Sequence, residues 1–189
     1  MNPRRRSTFR AAVFVAVVAA ALLCSGPTVL AGQDKPQAPP DRAKVLAAAR
    51  EIMTALQYCA MVTIDETGRP QVRTMNPFQP DENMVVWMAT SPQSRKANEI
   101  RKDPRVSLYY SDHAKATGYV NVTGRAELVS DMQEILKRKR DYWDTAFPGL
   151  KNLVLIKVIP ERIEVVNYKA GLGADPVTFR ATTIDMPVK

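Results

Sequence analysis

Thr90, Ser91, Ser94, Arg95 and Lys96 bring three hydroxyls and two cations into one short stretch of the chain. Ser94 is placed to cap a helix running to Lys102, so Arg95 and Lys96 fall in that helix's first turn. Cations there oppose the positive end of the helix dipole, at a cost of about 0.3–1 kcal/mol each when exposed. A bound anion reverses the sign. Unpaired backbone N–H groups, the hydroxyls and the two cations can all converge on one phosphate. Taken alone, an Arg-Lys pair on a helix more often marks a solvated face.

The elements that must hold this corner follow from hydrophobic spacing. An apolar strand, Met84–Ala89, leads into it, and a second, Val106–Tyr110, follows Pro104. Upstream, Asp41 can cap a helix whose inner face is Val45, Leu46, Ala49, Ile52, Met53 and Leu56. Cys59–Ile64 and Gln71–Phe78 form a hairpin across Asp65–Pro70. Beyond Tyr110, Tyr119–Val129 reads as a strand and Asp131–Trp143 as a helix. Leu153–Ile159 and Ile163–Tyr168 read as two strands separated by Pro160-Glu161-Arg162, and the tail from Lys169 as loop. Many short strands with few helices predict a mainly β (α+β) barrel or sandwich. Gly171-Leu172-Gly173 lacks the third glycine and the helix of a dinucleotide fingerprint.

The chain divides into residues 1–31, a signal peptide; 32–40, a Pro-rich linker; 41–180, one domain; and 181–189, a C-terminal tail. Arg4, Arg5, Arg6 and Arg10 precede an uncharged run, Ala11–Cys24, that is shorter than the roughly 20 residues a membrane span needs. Val29-Leu30-Ala31 supplies a cleavage site, and an uncleaved anchor is the alternative. The expected location is secreted or periplasmic, with no stable membrane span once the leader is removed. The Arg5-Arg6 pair partly fits a twin-arginine signal, which would export a folded protein. The whole chain carries a net +8, but four of its Arg lie in the leader, which leaves 23 basic against 19 acidic residues. That mild excess, without interleaved aromatics, argues against nucleic acid. Cys59 alone remains of the cysteines, in an apolar stretch where it packs rather than reacts, and no metal site is expected.

Ala89-Thr90, Ser94-Arg95-Lys96 and Asp103-Pro104-Arg105-Val106-Ser107-Leu108 occur in one order at one spacing. In that order they resemble the phosphate-binding segment of the pyridoxamine 5'-phosphate oxidase family, the FMN-binding split β-barrels. Gly68-Arg69-Pro70-Gln71-Val72-Arg73 resembles the family's Gly-x-Pro-x-x-Arg hairpin, and Tyr119–Glu127 a third family strand. The likeness covers roughly residues 43–180. It implies six to seven antiparallel strands with an N-terminal helix and two further helices. It also implies FMN as cofactor, bound by Arg73, Ala89, Thr90, Ser94, Arg95 and Lys96, with backbone groups of Thr74, Met75 and Asn76 along the ring edge. A homodimer sharing the flavin sites is implied too.

Other positions depart from the vitamin-processing oxidases. Phe78 stands where those enzymes have a substrate-binding Lys, Tyr119 replaces a Gln, and their Tyr…Arg…Ser set is missing. The chain therefore resembles the general-stress-protein-like branch of the family. The reading is an exported FMN-dependent oxidoreductase acting on an unknown small-molecule substrate. A non-catalytic carrier of flavin, deazaflavin F420 or haem is the alternative, and a bare split barrel acting as an interaction module is a third. His113, a lone loop histidine, matters only in the haem case.

Overall fold

A computed structural model describes residues 41–187 of the chain. The leader, its cleavage site, the linker and Cys24 lie outside these residues. Helix α1 spans Arg42–Ala55, and Asp41 caps it by accepting from the backbone N–H of Ala43 (3.0 Å) and Lys44 (3.3 Å). Val45, Ala48, Ala49 and Met53 form its buried stripe. Strands β1 (Cys59–Ile64) and β2 (Pro70–Met75) make the expected hairpin. In its turn the Asp65 carboxylate accepts from the backbone N–H groups of Thr67 (2.8 Å) and Arg69 (3.0 Å), while Gly68 supplies a φ of +81°.

Strand β3 (Val86–Thr90) leads into α2 (Arg95–Lys102), followed by β4 (Arg105–Ser111) and β5 (Gly118–Val129). The expected helix over Asp131–Trp143 is instead two short ones, α3 (Met132–Lys137) and α4 (Trp143–Ala146). The chain turns at Arg138, so that Trp143 can bury itself completely. The two expected C-terminal strands are one, β6 (Val154–Asn167), and the expected loop-like tail contributes a further strand, β7 (Thr182–Asp185). Pro160 does not break β6 because it sits at a bulge. On one side β6 pairs β3 through Val154–Val158 and β7 through Arg162–Val165, and the proline falls between the two. On the other side it faces Gly124 of β5, where an added Cβ would meet the Ile159 carbonyl oxygen at 2.1 Å. Only glycine fits there.

The seven strands form one antiparallel sheet, ordered β2-β1-β4-β5-β6-β3 with β7 also on β6. Strand alternation gives the curled sheet two faces. Met61, Leu108, Val120, Val122, Ile163 and Val165 fill the inner one, and α1 packs on it. Cys59 lies in this core, and burial pushes its thiol up to about 12, so it is a packing residue. It touches Tyr110, whose hydroxyl has no aligned hydrogen-bond partner among the described residues and is pushed above its ordinary range by burial. A second, smaller core gathers Ile135, Trp143, Leu153 and Leu155 beside Phe78, Trp87 and Phe147.

Candidate functional site

Thr90 ends β3 facing inward, and the chain turns within four residues to start α2. The turn is closed by the Ser94 N–H donating to the Ser91 carbonyl at 3.0 Å. Ser94 Oγ then accepts from the Ala97 N–H at 3.3 Å, the capping expected from sequence. Its Oγ also lies 3.1 Å from Thr90 Oγ1, and Lys96 Nζ donates to that same Thr90 oxygen at 3.2 Å. Two hydroxyls and one ammonium therefore meet at the helix N-terminus. The Ser91 hydroxyl accepts from the Gln93 N–H at 3.3 Å.

Arg73 reaches the corner from the hairpin. Its position on β2 alternates inward, opposite Met61 of β1. The guanidinium donates through Nη1 to Thr63 Oγ1 and through Nη2 to Glu99 Oε2 at 2.8 Å. Thr63 Oγ1 in turn donates to the same Glu99 oxygen at 2.5 Å. Arg95, one turn before Glu99 on α2, places Nε 3.2 Å from Oε1. That contact is close enough for charge attraction but off the hydrogen-bond line, so among the described residues Oε1 has no hydrogen-bond donor although Glu99 is only 5% exposed.

Neither Glu99 nor Thr63 was visible as a site residue in the sequence. The available signal was the i,i+4 spacing of Arg95 and Glu99. What hides Glu99 is that glutamate on a short basic helix normally faces water. Here the helix lies against β1 and β5 and turns that position inward.

The corner thus holds three cations, Arg73, Arg95 and Lys96, and one carboxylate. Lys96 makes no ion pair among the described residues. Burial, and then the neighbouring Arg73 charge, lowers its ammonium below the ordinary lysine value. The attraction of an incoming anion would offset both. A phosphate dianion matches the formal excess of two positive charges, and the hydroxyls of Thr90 and Ser94 with the free N–H groups of α2 supply directional donors. The FMN phosphate fits this donor set.

Five of the eight expected cofactor residues, Arg73, Thr90, Ser94, Arg95 and Lys96, come together here. The other three, of which Thr74 and Met75 are expected to contribute backbone groups, turn their side chains elsewhere. Thr74 is exposed on the outer face, Met75 is buried in the main core, and Ala89 packs against the second core. Phe78, at the position of a substrate lysine in the vitamin oxidases, meets Trp143 edge-on at 6.0 Å and lies 4.0 Å beneath the Arg140 guanidinium. Tyr119 lies on the outer face with its ring 5.5 Å from Tyr109, which stacks on exposed His113 at 6.2 Å. A cleft of about 460 Å³ lined by Pro92, Ile100, Arg101 and Lys151 shares none of the corner's residues. The donor chemistry, not the cleft, marks the site.

Residues 45–167 match the family described as Pyridoxamine 5'-phosphate oxidase. General stress protein 26 of Bacillus subtilis is 28% identical over 109 residues, spanning 54% of this chain and 74% of that protein. The pyridoxine/pyridoxamine 5'-phosphate oxidase of Escherichia fergusonii is 37% identical over 75 residues, spanning 40% of this chain and 34% of that enzyme. Among solved structures, a Clostridium acetobutylicum protein related to general stress protein 26 superposes with a TM-score of 0.62 at 16% identity, covering 77% of this chain and 96% of that one. Strands β1 to β6, the hairpin arginine and the hydroxyl-and-cation corner all sit inside the matched span, and this chain belongs to the pyridoxamine 5'-phosphate oxidase family, on the side of its general-stress-protein-26-like members.

Proposed function

We propose that this protein is an FMN-binding flavoprotein that works as an oxidoreductase on a small organic substrate other than a pyridoxamine phosphate. One observation carries the reading: three cations from two elements surround a capped helix N-terminus, with one buried carboxylate to offset them. Arg73, Arg95, Lys96, Thr90 and Ser94 would hold the phosphate. Bound FMN would supply the electron transfer, and the chain's own residues need only orient it and keep water from it. Phe78 supports a substrate other than the vitamin, because its ring carries no charge and the Arg140 guanidinium over it already donates to the Pro77 carbonyl.

The flavin site is read as shared between two copies. Val62, Ile64, Val72, Tyr109 and Tyr119 lie on the outer face of β1, β2, β4 and β5, and Val72 is 63% exposed. Such an apolar face suits a second copy. Export to the periplasm or beyond rests on the basic, apolar leader at the start of the chain.

The experiment is a titration with FMN and with riboflavin, followed by absorbance and flavin fluorescence. Wild type binds FMN the more tightly. Arg95→Ala with Lys96→Ala weakens FMN about tenfold or more, as expected for lost charge-assisted hydrogen bonds, and leaves riboflavin nearly unchanged. Equal losses for both ligands contradict the assignment. Reduction of the bound flavin by NADH or NADPH and its reoxidation separate an enzyme from a carrier. A Soret band in the purified protein, or preference for deazaflavin F420, would replace FMN by haem or F420.

A further inference from the structure

Glu99 is the one carboxylate inside the corner, and it lies where an anion site would ordinarily exclude negative charge. It is nearly fully buried, it binds Arg73 through Oε2, it draws Arg95 towards Oε1, and it uses Thr63 as a third contact. Oε1 still lacks a hydrogen-bond donor. A surface-type ion pair would not be buried this way, because desolvating a carboxylate is costly unless it offsets something costlier. Here the costlier state is a cluster of unbalanced cations. Without Glu99, Arg73 would be a guanidinium 15% exposed, beside Arg95 and the partly buried Lys96, with Thr63 as its only acceptor.

We propose that Glu99 is the corner's resident counter-anion, a positioning residue that holds Arg73 and Arg95 in their binding places and stabilises the cluster when no phosphate is bound. The inference rests on reading the corner as a phosphate site. It goes further in assigning opposite effects to the charge and the shape of one side chain. The charge steadies the ligand-free protein but repels the incoming phosphate. The shape, an acceptor fixed at the end of a buried side chain, keeps the arginines aimed. Removing the charge alone therefore loosens the empty protein and tightens the bound one. Removing the acceptor as well lets Arg73 go and weakens both.

The test uses the full chain with Glu99→Gln and Glu99→Ala. It measures thermal unfolding without flavin, unfolding with FMN, and affinities for FMN and riboflavin. Glutamine keeps an acceptor for Arg73 and Thr63. It is expected to lower the flavin-free melting temperature, and to tighten FMN by about threefold or more, because it removes a negative charge beside the phosphate. Riboflavin, without a phosphate, is expected to bind as in wild type. Alanine is expected to lower the melting temperature further and to weaken FMN about tenfold, again sparing riboflavin. The proposal is overturned if Glu99→Gln weakens FMN as Glu99→Ala does. It is also overturned if Glu99→Gln leaves both the flavin-free melting temperature and FMN affinity at wild-type values. Should Glu99→Ala not fold, the glutamine variant still decides. Failure of the wild-type protein to bind FMN would strike the flavin reading instead, and the flavin-free melting comparison would still report on the counter-anion.

Discussion

Arg138 and Arg140 come from the most basic run of the described chain, Lys137–Arg140, whereas Arg73, Arg95 and Lys96 come from two segments that look ordinary by charge count. Their settings are opposite. The Arg138 guanidinium lies 3.8 Å over the Trp87 ring and pairs with Glu134. Arg140 lies 4.0 Å over Phe78 and donates to the Pro77 carbonyl at 2.7 Å. Lys139 pairs with Asp144 at 2.8 Å. Nearly every charge in that run already has a local partner. In the corner beside α2 the three cations share one carboxylate, and Lys96 has only hydroxyl contact. The number of cations in a run says little about a ligand. What matters is how many stay unbalanced once the chain has folded.

Breaking the aromatic cluster tests whether the two regions are independent. Trp143 is fully buried, with Phe78, Phe147 and Tyr142 edge-on around it at 6.0, 6.3 and 6.5 Å. Its indole N–H has no acceptor among the described residues, so its contribution comes from packing. Trp143→Ala is expected to cost about 3–5 kcal/mol in urea unfolding, more than loss of an arginine from either region. The preference for FMN over riboflavin should survive in whatever fraction folds. Loss of that preference would mean that the two regions are one coupled unit.

Removing an arginine from each region sharpens the contrast. Arg73→Met strips Glu99 of its best-aligned cation and should lower stability by about 1–3 kcal/mol, the penalty of leaving a buried charged group short of a partner. FMN should weaken with it and riboflavin should not. Arg138→Ala loses a stacked guanidinium worth about 0.5–1 kcal/mol and should leave FMN binding alone. If Arg138→Ala changed FMN affinity as much as Arg73→Met, the basic run would belong to the site after all.

The sequence carried most of the frame. The hairpin, the Ser94 cap and the α2 stop before Pro104 are local matters, fixed by turn chemistry and alternation within a few residues. What it hid depended on partners far along the chain. Pro160 reads as a strand breaker, yet β6 runs through it because Gly124, thirty-six positions earlier, makes room for the bulge. Thr182–Asp185 reads as tail because only β6 gives it a ladder. Asp131–Trp143 reads as one helix because spacing does not reveal that Trp143 must reach a pocket made by Phe78 and Phe147. The same holds for the site. Arg95, Lys96, Ser94 and Thr90 are neighbours in sequence and were legible. Thr63 and Glu99 became part of it only when β1 and α2 met. Thr74, Met75 and Ala89 were assigned through likeness to the family, and their side chains point to the outer face and the two cores.

The smallest effect concerns the hairpin that delivers Arg73, and it is set apart from both regions by its response to acid. Asp65 is held down to about 2, first by the Thr67 hydroxyl and then by the Arg69 N–H, with further help from the Thr67 N–H and the Gln71 amide. An unfolded aspartate titrates near 3.9, so the ionised form is favoured by the folded turn. The sign follows: this stabilisation is complete above about pH 4 and is lost as the pH falls from there towards about 2. Asp65→Asn keeps a turn-forming side chain with one acceptor oxygen but removes the charge. Thermal melts at a series of pH values should therefore show wild type above the variant by a constant margin down to about pH 4, and the two curves should converge by about pH 2. Asp103, also held down to about 2 by Arg105, contributes its own acid sensitivity equally to both proteins and cancels in the comparison. A margin that stays the same through this window would show that the turn depends on the shape of Asp65 rather than its charge, and that Arg73 is delivered by backbone geometry alone.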